Sequence, residues 1–158
     1  MPLLDAADPR PVHFMGIAGA GMSALAELST RRGARVTGCD QHTTGAADLA
    51  ALGISVLQGH DAAHLAGCRA LVVTSAVPKD HPELLAAKQL GIPIIRRAEA
   101  LAEATAGGML IGIAGTHGKS TTTVMTTEAL AAAGKAPTGV VGARVRSWGG
   151  NLSQGAHE

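Results

Sequence analysis

Gly115-Thr116-His117-Gly118-Lys119-Ser120-Thr121-Thr122-Thr123 lies between an apolar run, Met109-Leu110-Ile111-Gly112-Ile113-Ala114, and a helix-forming run over 124–133. The apolar run predicts a buried strand. Strand, Gly-rich turn with Gly-Lys-Ser, then helix is the layout of a phosphate-cradling loop. Small residues let backbone N–H groups close around phosphate oxygens. The helix start adds unpaired donors and the positive end of its dipole. Lys119 can reach terminal phosphates, and the Ser120 hydroxyl can ligate Mg²⁺. One position departs from the strict pattern: Ile113 stands where it reserves a glycine, and the nearest glycines are Gly112 and Gly115. The strand-turn-helix context carries the reading.

Working outward, a second Gly-rich turn lies near the N-terminus. Val12-His13-Phe14-Met15 is a short apolar run, followed by Gly16-Ile17-Ala18-Gly19-Ala20-Gly21 and a predicted helix over 22–32. Residues 35–40 read as a second strand that ends on Asp40. This is a βαβ unit with a dinucleotide-like fingerprint, and Asp40 stands near the offset at which an acid meets a ribose. Ala18 replaces the second fingerprint glycine, with Gly19 beside it. Taken alone, the turn fits a nicotinamide cofactor, another nucleotide, or a tight turn with no ligand.

Between the two turns, strands alternate with helices. Strands are predicted over 54–57, 70–74 and 92–95, and helices over 46–52, 82–90 and 97–104, with one helical turn over 62–65. Such alternation predicts a mostly parallel sheet covered on both faces. Thr105-Ala106-Gly107-Gly108 is a run of small residues that reads as a domain boundary. It divides a first domain, 1–106, from the opening of a second, 107–158. Residues 136–141 predict a further strand start, and 147–155 a Gly-rich loop.

The composition bounds the function. The 158 residues are 46% hydrophobic, with one Trp, one Phe and no Tyr, so the core must be built from Ala, Leu, Ile and Val. Mean hydropathy is +0.22. The formal net charge is +1 with no basic stripe, which argues against nucleic acid as a partner. No run approaches the roughly 18 apolar residues of a membrane span, and the N-terminus carries acids and prolines rather than a signal-length apolar core. Cys39 and Cys68 lack close metal-ligand spacing and read as buried reduced thiols of a cytoplasmic protein. His42, His64, His81 and His157 read as surface residues. His13 and His60 read as packed or capping histidines near the first turn, and His117 as a loop side chain that shapes its own turn.

The residues from His13 to Ser23 and from Gly115 to Thr123 together resemble the Mur ligase family, and within it the branch that joins L-alanine to UDP-N-acetylmuramate. Gly38-Cys39-Asp40, Gly59-His60, Thr74-Ser75-Ala76-Val77, Pro82-Glu83-Leu84 and residues 97–103 fall at matching places between the two motifs. The departures are Ala18 for a usual Gly, Cys39 for a usual Ser, and Ser120 for a usual Thr that keeps the hydroxyl. The resemblance implies a Rossmann-like parallel-sheet domain followed by the start of a P-loop ATPase domain. It reassigns the first turn to the UDP part of a substrate. Gly19, Ala20, Gly21 and Met22 would face the diphosphate or sugar, Asp40 the uridine side, and Ser75 and Ala76 the same crevice.

The reaction so implied is ATP-dependent amide formation through an acyl phosphate, in peptidoglycan precursor synthesis. Gly115, Thr116, His117, Gly118, Lys119, Ser120 and Thr121 would form the ATP loop. Lys119 and Ser120 would carry catalysis, and Ser120 would hold Mg²⁺. By the same resemblance, an acidic strand that ligates Mg²⁺, the adenine pocket and an amino-acid-binding domain would lie beyond Glu158, which is not itself that acid. The chain alone is therefore expected not to ligate. The alternatives are a ligase for recycled murein tripeptide, an NAD-dependent oxidoreductase, and a non-catalytic UDP-sugar-binding module. No feature of the sequence fixes an oligomeric state.

Overall fold

The computed structural model describes Leu3, Asp5 and residues 7–155. The readings made for His157 and Glu158 lie outside them. Five parallel strands form the main sheet: β1 (Val12–Met15), β2 (Val36–Asp40), β3 (Ser55–Gln58), β4 (Ala70–Val73) and β5 (Ile94–Arg96), in the order β3-β2-β1-β4-β5. The helices are α1 (Ala20–Arg31), α2 (Ala47–Ala51), α3 (Pro82–Gln89), α4 (Arg97–Ala104) and α5 (Lys119–Ala132). The expected doubly covered parallel sheet is present.

The strand sequences explain this order. β1 and β4 are apolar throughout and buried at every position, as central parallel strands require. β3 and β5 are more polar and lie at the edges. Pro93, which cannot donate to a ladder, precedes β5 and offers only its carbonyl to Leu71 N–H, at 2.9 Å. Side chains alternate between the two faces. Val12, Phe14, Val36, Ala70 and Val72 pack with Met22, Leu25 and Leu28 of α1 and Ala100 and Ala104 of α4. Met15, Cys39, Leu71 and Val73 pack with Leu65 and with Leu84 and Ala87 of α3. Each fully buried Leu, Ile or Phe side chain contributes about 1.5–3 kcal/mol.

Beyond α4 the structure differs from the sequence reading in three places: the strand expected over 109–114, the start of the following helix, and the loop expected over 147–155, which holds a strand at Gly150–Ser153 because those residues pair with the strand before them. The strand expected over 109–114 belongs to neither sheet. Met109 is 94% exposed, Leu110 68% and Ile111 54%. An apolar run becomes a strand only when neighbours accept its backbone hydrogen bonds, and among the described residues none lies beside it. The helix expected over 124–133 is present but begins earlier, at Lys119.

The strand expected from 136 on is β6 (Gly139–Val145), which forms an antiparallel pair with β7 (Gly150–Ser153). This pair lies against α1. Leu152 enters the α1 core, and Val140 packs at its edge. The Asn151 side-chain amide donates to Ala20 O at 2.8 Å and to Ser23 Oγ at 3.1 Å. The Gly-Gly-Asn stretch thus grips the first turn of α1.

Candidate functional site

Two Gly-rich turns carry the candidate chemistry, and the fold places each at the start of a helix. The first leaves the carboxyl end of β1. Gly16 has φ +71°, the left-handed region that glycine adopts freely. The N–H groups of Gly16 and Ile17 donate to Cys39 O at 2.8 and 3.1 Å, which ties the turn to β2. Gly19 is the N-cap of α1, with no side-chain cap on that helix start. β1 lies between β2 and β4, and the strand order reverses between β1 and β4. Ser75 and Ala76 are exposed just past the end of β4. Gly19 and Ala20 just past the end of β1, and Ser75 and Ala76 just past the end of β4, thus lie at the carboxyl edge of the sheet where the strand order reverses, the edge at which ligand crevices form on open parallel sheets.

Two predicted site residues are occupied differently from the sequence reading. Asp40 Oδ2 accepts the Ala18 N–H at 3.0 Å, and Oδ1 accepts the His42 N–H at 3.0 Å. This carboxylate shapes the turn whatever else it meets. The Met22 side chain is 2% exposed and lies in the core, while its N–H donates to Gly19 O at 2.9 Å. Gly21 points toward α4: a Cβ there would stand 2.6 Å from Arg97 Nη1. That contact is the far end of a flexible, exposed side chain. Gly21→Val should therefore push Arg97 aside and crowd the mouth of the crevice, with little change in thermal stability. Calorimetry with a UDP-sugar checks this, and unchanged affinity would place the diphosphate elsewhere.

The second turn precedes α5. Gly115 has φ +150° and Gly118 φ +78°, and Gly118 is the left-handed N-cap of α5, again without a side-chain cap. Lys119 folds back over the loop, its Nζ donating to Gly115 O at 2.6 Å and to Thr116 O at 3.1 Å. Thr116, His117 and Thr121 are exposed, and Ser120 is half-buried. Residues 115–118 thus form an open loop that runs into the first turn of α5, with the Lys119 ammonium drawn back across it.

The histidines sort unevenly. His42 is exposed, as expected. His13 is packed, fully buried, with Nδ1 2.9 Å from Thr37 Oγ1. His81, expected on the surface, caps α3 by accepting the Glu83 N–H at 3.3 Å. His64, also expected there, is largely covered and lies 3.3 Å from Glu83 Oε1. The His81 cap is local, two residues from Glu83, whereas the neighbourhood of His64 gives no sign of its contact, because Glu83 comes from a later helix.

The span from just before β1 to just past α4, residues 11–108, matches the family model described as "Mur ligase family, catalytic domain". The chain belongs to the Mur ligase family. It is 50% identical over 147 residues to UDP-N-acetylmuramate–L-alanine ligase of Methylibium petroleiphilum, a match covering 92% of this chain and 31% of that protein. It is 47% identical to the Arthrobacter sp. protein of the same name, over 93% of this chain and 32% of the relative. The chain spans about a third of the length of these curated relatives.

Among solved Mur ligases, the UDP-N-acetylmuramate-alanine ligase of Thermotoga maritima superposes with a TM-score of 0.86 at 32% identity, over 92% of this chain and 35% of that one. A Neisseria meningitides ligase, UDP-N-acetylmuramate:L-alanyl-gamma-D-glutamyl-meso-diaminopimelate ligase, superposes with a TM-score of 0.83 at 32% identity, covering 90% and 46%. Both neighbours share the sheet that carries the first Gly-rich turn.

Proposed function

We propose that this chain supplies the UDP-sugar-binding domain, residues 1–106, and the opening of the ATP-binding domain, residues 107–158, of a Mur ligase. That ligase joins L-alanine to UDP-N-acetylmuramate in peptidoglycan precursor synthesis. The observation that carries the reading is the uncapped start of α1 at the reversal of strand order, framed by Gly19, Ser75 and Ala76. A diphosphate at that point meets backbone donors and the positive end of a helix dipole. The names borne by relatives at 47–50% identity favour L-alanine as the incoming amine.

The second loop fits a nucleoside triphosphate with Mg²⁺. Gly115 and Gly118 take the positive φ that lets such a loop fold around an anion, and among the described residues the Lys119 ammonium donates only to loop carbonyls that a phosphate can displace. Mg²⁺–ATP supplies activation of a carboxylate toward attack by an amine. Lys119 would offset phosphate charge, the Ser120 hydroxyl would hold the metal, and the N–H groups at the α5 start, with Thr121, would orient the phosphates. His117 shapes the loop.

Among the described residues no helix is long and apolar enough to cross a membrane. The buried free thiols Cys39 and Cys68 suit the reducing cytoplasm, where we place the protein.

Calorimetric titration of the purified chain with UDP-N-acetylmuramate, with NADH as control, tests the first site. Saturable binding of the UDP-sugar alone is the expected result. Binding of NADH alone would overturn the ligase reading in favour of a nicotinamide-dependent oxidoreductase.

A further inference from the structure

On the α3 face of the sheet, four metal-ligating side chains from four separate elements converge. His13 comes from β1, Cys39 from β2, His64 from the helical turn Ala62–Leu65, and Glu83 from the first turn of α3. One ligand atom from each lies within 4.8 Å of every other. His13, Cys39 and Glu83 are fully buried, and the His64 side chain is 16% exposed. We propose that His13, Cys39, His64 and Glu83 form a structural zinc site that pins α3 and the Ala62–Leu65 turn to β1 and β2.

Three observations support the assignment. The first is the set of unpaired atoms. Among the described residues His13 Nε2 is buried without a hydrogen-bond partner, and His64 Nδ1 has none beyond its ion-pair contact with Glu83 Oε1 at 3.3 Å, itself one of the four ligands. Native proteins rarely leave buried polar atoms in that state, and a buried ring nitrogen without a hydrogen-bond partner points to an ion or water. The second is orientation. His13 Nδ1 is engaged by Thr37 Oγ1 at 2.9 Å, so Nε2 is the ring atom left for a ligand. Such an outer partner fixes the tautomer of a metal-binding histidine. The third is the donor set. Two imidazoles, one thiolate and one carboxylate are ligands that Zn²⁺ takes in tetrahedral geometry.

The geometry needs only local closure. Tetrahedral zinc, with ligand distances of about 2.0–2.3 Å, holds its donors about 3.3–3.8 Å apart. In the metal-free arrangement the Cys39 thiol donates to Glu83 Oε1 at 3.2 Å, and Asp61 N–H donates to the same oxygen at 3.2 Å. Binding replaces the Sγ–H proton with the metal and releases that proton to solvent. One thiolate and one carboxylate then neutralise the dication, as a buried site requires.

His60 closes the rim. Its Nδ1 lies 3.2 Å from Cys39 Sγ and 3.4 Å from Glu83 Oε2, and its side chain is 18% exposed. A metal can enter past His60 and His64. The ligands stand at positions 13, 39, 64 and 83, so no short spacing motif announces them.

Co²⁺ titration of the full chain, stripped of metal by a chelator, tests the site. One equivalent should produce a thiolate-to-cobalt charge-transfer band and the intense visible bands of tetrahedral Co²⁺. Zn²⁺ should displace both and raise Tm. Cys39→Ser should lose the charge-transfer band, and Cys68→Ser should keep it. His64→Ala, at the rim, should weaken Co²⁺ binding by more than the roughly 10- to 100-fold that loss of a supporting group costs. Circular dichroism of each metal-free variant establishes that it is folded. If Cys39→Ser does not fold, His64→Ala and Cys68→Ser decide. Absence of the charge-transfer band in the unaltered chain, its persistence in Cys39→Ser, its loss in Cys68→Ser, or unchanged affinity in His64→Ala overturns the assignment.

Discussion

Lys119→Ala should lower the affinity of the chain for Mg²⁺–ATP by roughly 10- to 150-fold, the loss expected when a hydrogen bond to a charged group is removed. UDP-N-acetylmuramate binding should not change. Lys119 is exposed, and among the described residues its ammonium donates only to Gly115 O and Thr116 O. It supports no core, so Tm should stay near that of the unaltered chain. Losing these bonds frees the loop and leaves the Gly118 cap and α5 intact. Lys119→Arg keeps the charge but not the reach of a compact ammonium, so it should recover only part of the affinity. Parallel calorimetric titrations with the two nucleotide ligands check this. If both affinities fall together, the two turns do not act as separate sites.

The separation of the two turns is itself a lesson in what the sequence shows. β1 and β4 are legible because their apolar runs end on glycine or small polar residues and burial on both faces leaves no room for alternation, and β2 because it completes the βαβ unit and ends on an acid. The α4 range, Arg97–Ala104, is legible because Glu99 reaches back to the Arg96 N–H, a local signal within one turn. The crevice follows from the same punctuation, since Gly16 and Ser75 mark where two strands stop.

Other features depend on contacts between distant residues, and composition cannot carry them. Residues 109–114 have the apolar pattern of a strand, yet pairing is a property of neighbours. Asp40 stands where a ribose-binding acid would, yet its oxygens hold the Ala18 and His42 N–H groups. The grip of Asn151 on Ala20 joins residues 131 positions apart. The His13, Cys39, His64 and Glu83 cluster needs the sheet register before it exists at all. His64 reads as a surface residue from the sequence, and it is covered because α3 packs against its turn.

Gly38→Val should cost about 3 kcal/mol of stability, at the upper end of what core overpacking costs. At roughly 2–4 °C per kcal/mol for a chain of this size, Tm should fall by about 6–12 °C. Gly38 lies in β2 opposite Phe14 of β1. A Cβ there would stand 2.5 Å from Ile17 Cδ1 and 2.6 Å from Phe14 O. Ile17 is fully buried, and Phe14 O belongs to a central strand, so neither can yield cheaply. The absence of a side chain is what lets Ile17 lie over β2 and seats the first Gly-rich turn on the sheet. Displacing Ile17 moves that turn, because its own N–H is bonded to Cys39 O at 3.1 Å. Gly38→Val should therefore also weaken UDP-sugar binding, whereas Gly21→Val should weaken binding with Tm preserved. Gly38→Ala, with one methyl, should show a smaller loss of the same kind. Thermal unfolding followed by circular dichroism, with calorimetry on the same samples, measures both effects. An unaltered Tm in Gly38→Val would mean that Ile17 has room to move, and that the turn is held by its hydrogen bonds to Cys39 and Asp40 rather than by packing.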